Sequence, residues 1–88
     1  MHNRETIVRN KAGIHARPAA MIAETAQRFS AEVMLTRDGT VVNAKSIIDI
    51  MLLAAEKGSK INIAATGADE EKAAQAIYDL FERKFDED

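Results

Sequence analysis

The sequence predicts an α+β fold: an open-faced, two-layer sandwich in which three helices cover one face of a four-stranded antiparallel sheet. Four short segments are β-branched or alternate apolar and polar residues, as strands do. Three others place apolar residues at helical spacing. Asp38-Gly39 joins two of the alternating segments, which is the strongest short signal for a β-hairpin. With 88 residues the chain has the length of one domain, which we expect to span 1–88 in the order β-α-β-β-α-β-α.

The first half of the chain predicts a strand, a helix and a hairpin. The β-branched run Thr6-Ile7-Val8-Arg9 predicts the first strand. The following helix carries Pro18 in its first turn, where a missing N–H group costs nothing. Strands at 32–37 and 40–43 flank Asp38-Gly39. This dipeptide predicts a hairpin, because it suits a type I′ turn, which needs positive φ at both central residues. The apolar stripe of the helix consists of Ala19, Ile22, Ala26 and Phe29.

The second half predicts two more helices around a fourth strand. Ser46 precedes a helical run that we expect to end near Lys57-Gly58, since glycine suits the left-handed residue after a helix. The segment 60–65 alternates and predicts a strand. Asp69 is placed to cap the last helix, whose first turn is acidic. The apolar stripe of that helix is Ala73, Ala74, Ile77, Leu80 and Phe81, and the polar face of the sheet holds Glu32, Met34, Thr36, Lys60 and Asn62.

The charge balance and composition exclude several classes of function. Twelve basic and 14 acidic residues give a net charge of −2, which argues against a nucleic-acid binder. No apolar run approaches the length that spans a membrane, and the N-terminus lacks the pattern of a signal peptide. The absence of cysteine excludes disulfides and thiolate sites and suits a cytoplasmic protein. No metal-binding cluster or nucleotide loop is evident, so we expect neither metal nor cofactor.

His15 is the first candidate for chemistry, at the junction of a turn and the first helix. Imidazole titrates near neutral pH and can act as a nucleophile. The helix that follows offers free N–H groups and a positive dipole end, because Ala16 has no capping side chain. Arg17 adds a charge whose geometry matches a phosphate. The alternative is a surface histidine without function, which is also our interpretation of His2, expected at a frayed terminus.

Ser46 is the second candidate, and two interpretations of it are compatible. With Asp49 it forms the Asp variant of the S-x-x-[DE] capping box. A phosphoryl group on this serine would also be tolerated at a helix N-terminus and would add about two negative charges to the surface.

The helix after Ser46 is apolar on nearly all sides, whereas a helix on a sheet needs only one apolar stripe. Two interpretations are open: an exposed docking patch, for which methionine is well suited, or a short helix wedged between neighbours. The residues concerned are Ile47, Ile48, Ile50, Met51, Leu52, Leu53, Ala54 and Ala55.

The block Gly13-Ile14-His15-Ala16-Arg17-Pro18-Ala19, together with Asn43-Ala44-Lys45-Ser46-Ile47, resembles the HPr family. HPr proteins are the histidine-containing phosphocarriers of the bacterial phosphotransferase system, and the resemblance covers essentially the whole chain. It implies an open-faced sandwich with an antiparallel four-stranded sheet and three helices. It also implies a carrier, not an enzyme, which accepts a phosphoryl group from enzyme I, with phosphoenolpyruvate as the original donor, and passes it to IIA proteins for sugar uptake.

The resemblance also assigns roles to individual residues. His15 matches the phosphorylated histidine, which reacts at Nδ1, and Arg17 matches the arginine beside it. Ser46 matches the serine modified by HPr kinase/phosphorylase. The family's docking surface corresponds to Ala20, Met21, Ile47, Ile48 and Met51. We expect a monomer.

Two residues of the second helix depart from the familiar pattern. Asp49 and Leu52 stand where glycine and a small polar residue are often found, so the choice of regulatory partner does not carry over. The alternative function is a regulatory interaction module not coupled to transport, either a nitrogen-branch paralogue or an HPr of an incomplete system. A regulatory paralogue that lacks the histidine is excluded by His15.

Overall fold

The computed structural model describes residues 1–87, which form a four-stranded antiparallel sheet covered by three helices. The elements are β1 (His2–Ile7), α1 (Ala16–Ala26), β2 (Glu32–Arg37), β3 (Thr40–Asn43), α2 (Ile47–Met51), β4 (Lys60–Thr66), α3 (Glu70–Glu82) and a short left-handed turn (Lys84–Asp86). The strands lie in the order β1-β4-β2-β3, so the strand that comes last in sequence lies between β1 and β2. Within these residues no helix is long and apolar enough to cross a membrane.

The predicted hairpin is confirmed in position and geometry. Asp38 and Gly39 have φ values of 47° and 84°, as a type I′ turn requires, and Arg37 pairs with Thr40 across it. The bounds of β2 and β3 agree with the alternation of the sequence.

The core lies between one face of the sheet and the helices. Val33 and Leu35 on β2 and Ile61 and Ile63 on β4 are almost completely buried. The predicted stripe of α3 is buried in full, and Phe81 meets Phe85 edge-on at 5.0 Å between ring centroids. The predicted polar residues of β2 and β4 lie on the opposite face, partly or fully exposed. The predicted α+β sandwich is therefore confirmed.

The predicted bounds of the first strand are wrong. β1 begins at His2 and ends at Ile7, and it pairs with β4 along its whole length, from His2 opposite Ala65 to Ile7 opposite Lys60. Its alternation is carried by polar side chains that α3 covers. Arg4 lies over the ring of Tyr78 at 3.9 Å, and Thr6 is buried. A search for apolar β-branched residues misses such a strand. The expectation that His2 lies at a frayed terminus is also wrong, because His2 is paired with Ala65 in the sheet.

The predicted end of the second helix is also wrong. α2 ends at Met51, and Ala54, with φ 49°, turns the chain away from the helix axis. The backbone beyond it makes other hydrogen bonds: Ile14 N–H donates to the Ala55 carbonyl at 2.8 Å, and Val8 N–H donates to the Ser59 carbonyl at 2.9 Å. These long-range bonds take the place of further helical turns.

Asp69 occupies the N-cap position of α3, but its side chain does not cap the helix. Its carboxylate instead accepts from the backbone N–H groups of Ser30 at 3.0 Å and Ala31 at 2.8 Å. These bonds, above all the one from Ser30, hold the pKa of Asp69 below its ordinary value. Asp69 therefore ties the loop after α1 to the start of α3.

Candidate functional site

His15 lies on the surface at the start of α1. It is the N-cap residue, in an extended conformation, and its side chain makes no capping bond. The side chain is 43% exposed. The loop before it is held by Gly13, whose φ of 74° places its Cα so close to residues 55 and 56 that an added Cβ would lie 2.7 Å from the Ala55 carbonyl oxygen. The backbone therefore presents the imidazole from a fixed loop.

The backbone N–H donors in the first turn of α1 are the second feature of the site. Among residues 1–87, no group accepts a hydrogen bond from the backbone N–H of Ala16 or Arg17, and Pro18 has no N–H group. The first turn contains no acidic residue. Unsatisfied donors at the positive end of a helix favour an anion. The side chain of Arg17 is 58% exposed beside them.

Glu87 completes the site and was missed by sequence reasoning. Its Oε1 lies 2.9 Å and its Oε2 3.2 Å from His15 Nε2, and its Oε2 lies 3.5 Å from Arg17 Nη1. Asn10, fully buried, donates from Nδ2 to Glu87 Oε1 at 2.8 Å and to the Gly13 carbonyl at 2.7 Å. The loop before α1 and the last described residues therefore meet at the imidazole.

The hydrogen bonds around Glu87 keep its carboxylate charged. The bond from His15 and then that from Asn10 are the main causes that hold the pKa of Glu87 below its ordinary value. A shallow open depression lined by Lys11, Ala12, His15 and Glu87 faces solvent here. The site can therefore receive a group from a docked partner, but it does not enclose a substrate.

Ser46 is the N-cap of α2, as predicted. Its Oγ accepts from the Asp49 N–H at 3.2 Å, which is one half of the capping box. The reciprocal half is absent within residues 1–87, because Ser46 N–H donates to the Asn43 carbonyl at 3.2 Å. The serine is half-buried, and α2 packs against α1.

The apolar residues of α2 divide between core and surface. Ile50 and Leu53 are buried, whereas Ile48 is 76% exposed, and Ile47, Met51 and Leu52 are also exposed. The helix is therefore packed against the core on one side and leaves apolar side chains exposed on the other, and their role in docking stays a prediction. Of the predicted docking residues on α1, Ala20 and Met21 are half-buried. Among residues 1–87, no three His, Cys, Asp or Glu side chains come together in a way that would hold a metal ion.

An exposed imidazole on a small open-faced sandwich, with a cation and helix N–H donors beside it, is suited to accept an anionic group from a docked partner. Comparison with known proteins makes this specific. Residues 2–83 match the family model described as "PTS HPr component phosphorylation site". The phosphocarrier protein HPr of Treponema pallidum is 49% identical over 81 residues, 92% of each chain. The phosphocarrier protein NPr of Escherichia coli K12 is 46% identical over 82 residues, 92% of this chain and 91% of that protein.

The fold gives the same result. The crystal structure of HPr-C-His from Thermoanaerobacter tengcongensis superposes with a TM-score of 0.95 at 43% identity, covering 100% of this chain and 99% of that one. The chain belongs to the HPr family of phosphocarrier proteins, which carry a phosphoryl group and are not catalysts.

Proposed function

We propose that this protein accepts a phosphoryl group on His15 from enzyme I and passes it to IIA proteins for sugar uptake. The observation that carries the proposal is the half-exposed imidazole at the start of α1, beside the backbone N–H groups of Ala16 and Arg17, which donate to no acceptor among residues 1–87. Phosphoryl transfer depends mainly on positioning and on charge stabilisation, and these groups supply both. In this proposal Arg17 neutralises charge on the transferred group.

The openness of the site supports a carrier. A carrier must hold the phosphoryl group weakly enough to give it away, and a phosphorylated imidazole at an exposed helix end meets that need. The described residues form a hydrophobic core within one copy of the chain, which supports a monomer, and membership of the HPr family is consistent with a cytoplasmic location.

The experiment uses the fact that the chain has only two histidines. The wild-type protein, His15→Ala and the matched control His2→Ala are each incubated with phosphoenolpyruvate and enzyme I, and their intact masses are measured before and after acid treatment. We expect one acid-labile phosphoryl group on the wild-type protein and on His2→Ala, and none on His15→Ala. An acid-labile phosphoryl group on His15→Ala would contradict the proposal.

We propose that the exposed apolar surface formed by Ala20, Met21, Ile47, Ile48 and Met51 is where enzyme I and the IIA proteins dock. Leu52, exposed beside these residues, extends it. Exposed apolar side chains in a domain this small support a binding role, because solvent contact is unfavourable for them. Ile48→Ser is expected to raise the KM for enzyme I, whereas Val41→Ser, a matched apolar-to-polar change at an exposed position on β3, is expected to leave it unchanged.

We propose that Ser46 is phosphorylated by HPr kinase/phosphorylase and that the modification regulates carbon use. The position of the serine on α2, next to the docking surface, supports this role. Treatment with the kinase and ATP should add one acid-stable phosphoryl group to the wild-type protein and to Ser59→Ala, but not to Ser46→Ala. An unchanged stoichiometry in Ser46→Ala would place the modification elsewhere.

A second candidate keeps the phosphoryl chemistry but uses it for regulation without transport, as in a nitrogen-branch paralogue. The comparable identity of the chain to a protein named HPr and to one named NPr supports retaining both candidates. The transfer rate from the phosphorylated protein to a sugar-branch IIA and to a nitrogen-branch IIA, measured side by side, distinguishes them.

A further inference from the structure

The Glu87 carboxylate forms hydrogen bonds with only one of the two nitrogens of His15. Both of its oxygens lie at Nε2, at 2.9 and 3.2 Å, and among residues 1–87 these are the hydrogen bonds that the ring makes. A charged carboxylate has only acceptor sites, so Nε2 must carry the proton. In a neutral imidazole the lone pair then lies on Nδ1.

Asn10 anchors this carboxylate from the interior of the domain. Its side chain is completely buried, and its Nδ2 binds both Glu87 Oε1 and the carbonyl of Gly13, the residue that shapes the loop before His15. The Glu87 side chain is only 19% exposed. A partner hydrogen-bonded to the second nitrogen of a reacting histidine sets its tautomer and orientation, as it does for metal ligands and for catalytic triads.

We propose that Glu87, anchored by Asn10, is a positioning residue for phosphoryl transfer, because it holds His15 as the Nε2–H tautomer and directs the Nδ1 lone pair to the donor. The inference rests on the proposed function. In the transfer step the Nδ1 lone pair forms the bond to phosphorus, while the bond between phosphorus and the donor atom breaks and its electron pair stays with the donor. The proton on Nε2 does not move. The ring gains positive charge, and the Glu87 carboxylate faces that charge.

Arg17 has a separate part in this arrangement. It approaches Glu87 Oε2 at 3.5 Å from an exposed position, farther than the bonds from His15 and Asn10. Its guanidinium can therefore turn to the transferred group while Glu87 stays on Nε2. The two side chains act on opposite charges: Arg17 on the phosphoryl group and Glu87 on the ring.

The tautomer is measured without any partner protein, by ¹H–¹⁵N correlation spectra of ¹⁵N-histidine-labelled protein above neutral pH. We expect a single Nε2–H tautomer in the wild-type protein. Glu87→Gln is expected to give a mixture of tautomers, because the amide can accept from Nε2–H or donate to Nε2. Asp86→Asn is the matched control: it removes the same charge one residue away, from a side chain that pairs with Arg83.

The transfer reaction is then measured for the same three proteins with enzyme I. Glu87→Gln is expected to lower kcat about tenfold with little change in KM, which is the lower end of the loss seen when a metal-binding histidine loses its hydrogen-bond partner, and Asp86→Asn is expected to match the wild type. Asn10→Ala, checked for folding by its thermal midpoint, should change the tautomer and kcat in the same direction as Glu87→Gln.

The proposal requires both effects. Unchanged tautomer populations in Glu87→Gln, or a changed tautomer with an unchanged kcat, would overturn it. A wild-type protein that enzyme I does not phosphorylate would overturn the proposed function instead, and the spectra recorded without enzyme I would still show whether Glu87 fixes the tautomer.

Discussion

A charge introduced at Ser46 is expected to weaken docking of enzyme I without impairing the chemistry at His15. His15 lies at the start of α1, whereas Ser46, which belongs to α2, lies near the end of α1. Gln27, just after α1, donates to the Lys45 carbonyl at 2.9 Å, next to Ser46, whereas His15 precedes α1. The 11 residues of α1 correspond to about 16 Å of helix. Two unit charges that far apart in water interact by about 0.3 kcal/mol before salt screening, less than a twofold effect on a rate.

Repulsion at the proposed docking surface is expected to be the larger effect. Ser46 lies directly before the exposed residues Ile47 and Ile48, and like charges brought together across an interface cost several kcal/mol. Ser46→Asp should therefore raise the KM for enzyme I at least tenfold at low salt, with kcat within a factor of two of the wild type. Added salt should reduce the difference. Asp49 already contributes one negative charge nearby, so the increment is that of a second charge.

Two further variants separate charge from helix structure. Ser46→Asn keeps a good N-cap of nearly the same shape as aspartate without the charge, and it should transfer like the wild type. Ser46→Ala loses the bond from Asp49 N–H, which costs about 1 kcal/mol of stability, or about 5 °C in thermal midpoint for a domain of this size. Steady-state transfer from enzyme I at two salt concentrations gives KM and kcat for all four proteins. A fall in kcat of tenfold or more in Ser46→Asp, or an equal rise in KM in Ser46→Asn, would show that charge repulsion during docking is not the cause.

Three other variants test parts of the site and of the fold. Arg17→Ala should slow transfer about tenfold and change stability by less than about 1 kcal/mol, because an exposed ion pair contributes little; a lower thermal midpoint with an unchanged rate would contradict this. Gly13→Ala should destabilise the domain by about 2 kcal/mol in urea titrations, because it adds a Cβ at positive φ against backbone atoms. The pKa of Asp69 is lower in the folded protein than in the unfolded chain, so its contribution to stability is complete above about pH 4 and is lost as the pH falls through the folded pKa. The thermal midpoint of Asp69→Asn, measured between neutral and acidic pH, should lack this loss. The control variant Asp38→Asn should retain it.

The architecture could be predicted from the sequence because the apolar residues that repeat along each helix or strand are the ones that the fold buries in its core. The stripe of α3, the inward residues of β4 and the Asp38-Gly39 hairpin all agree with the structure. The errors fall where long-range contacts override local pattern. The chain leaves α2 after Met51, because the backbone around residue 55 bonds to Ile14 rather than continuing the helix.

The candidate site was predicted only in its local part. His15 and Arg17 lie within three residues of each other, and their relation to the start of α1 follows from the sequence. Glu87 lies 72 positions from His15 and 77 from Asn10. No periodicity or short motif connects residues that far apart. Asn10 stands in a turn-rich segment, where asparagine is common because its side chain suits turns. Nothing in the neighbouring sequence therefore indicated that Asn10 is buried and donates to Glu87.

We propose that Nδ1 of His15 accepts the phosphoryl group while Glu87 stays hydrogen-bonded to Nε2. This is tested by the ¹⁵N spectrum of histidine-labelled protein, recorded with and without phosphorus decoupling after reaction with phosphoenolpyruvate and enzyme I. We expect coupling of phosphorus to Nδ1 of His15 and a proton still on Nε2. Coupling to Nε2, a phosphoryl group on His2, or no phosphorylated histidine would contradict it.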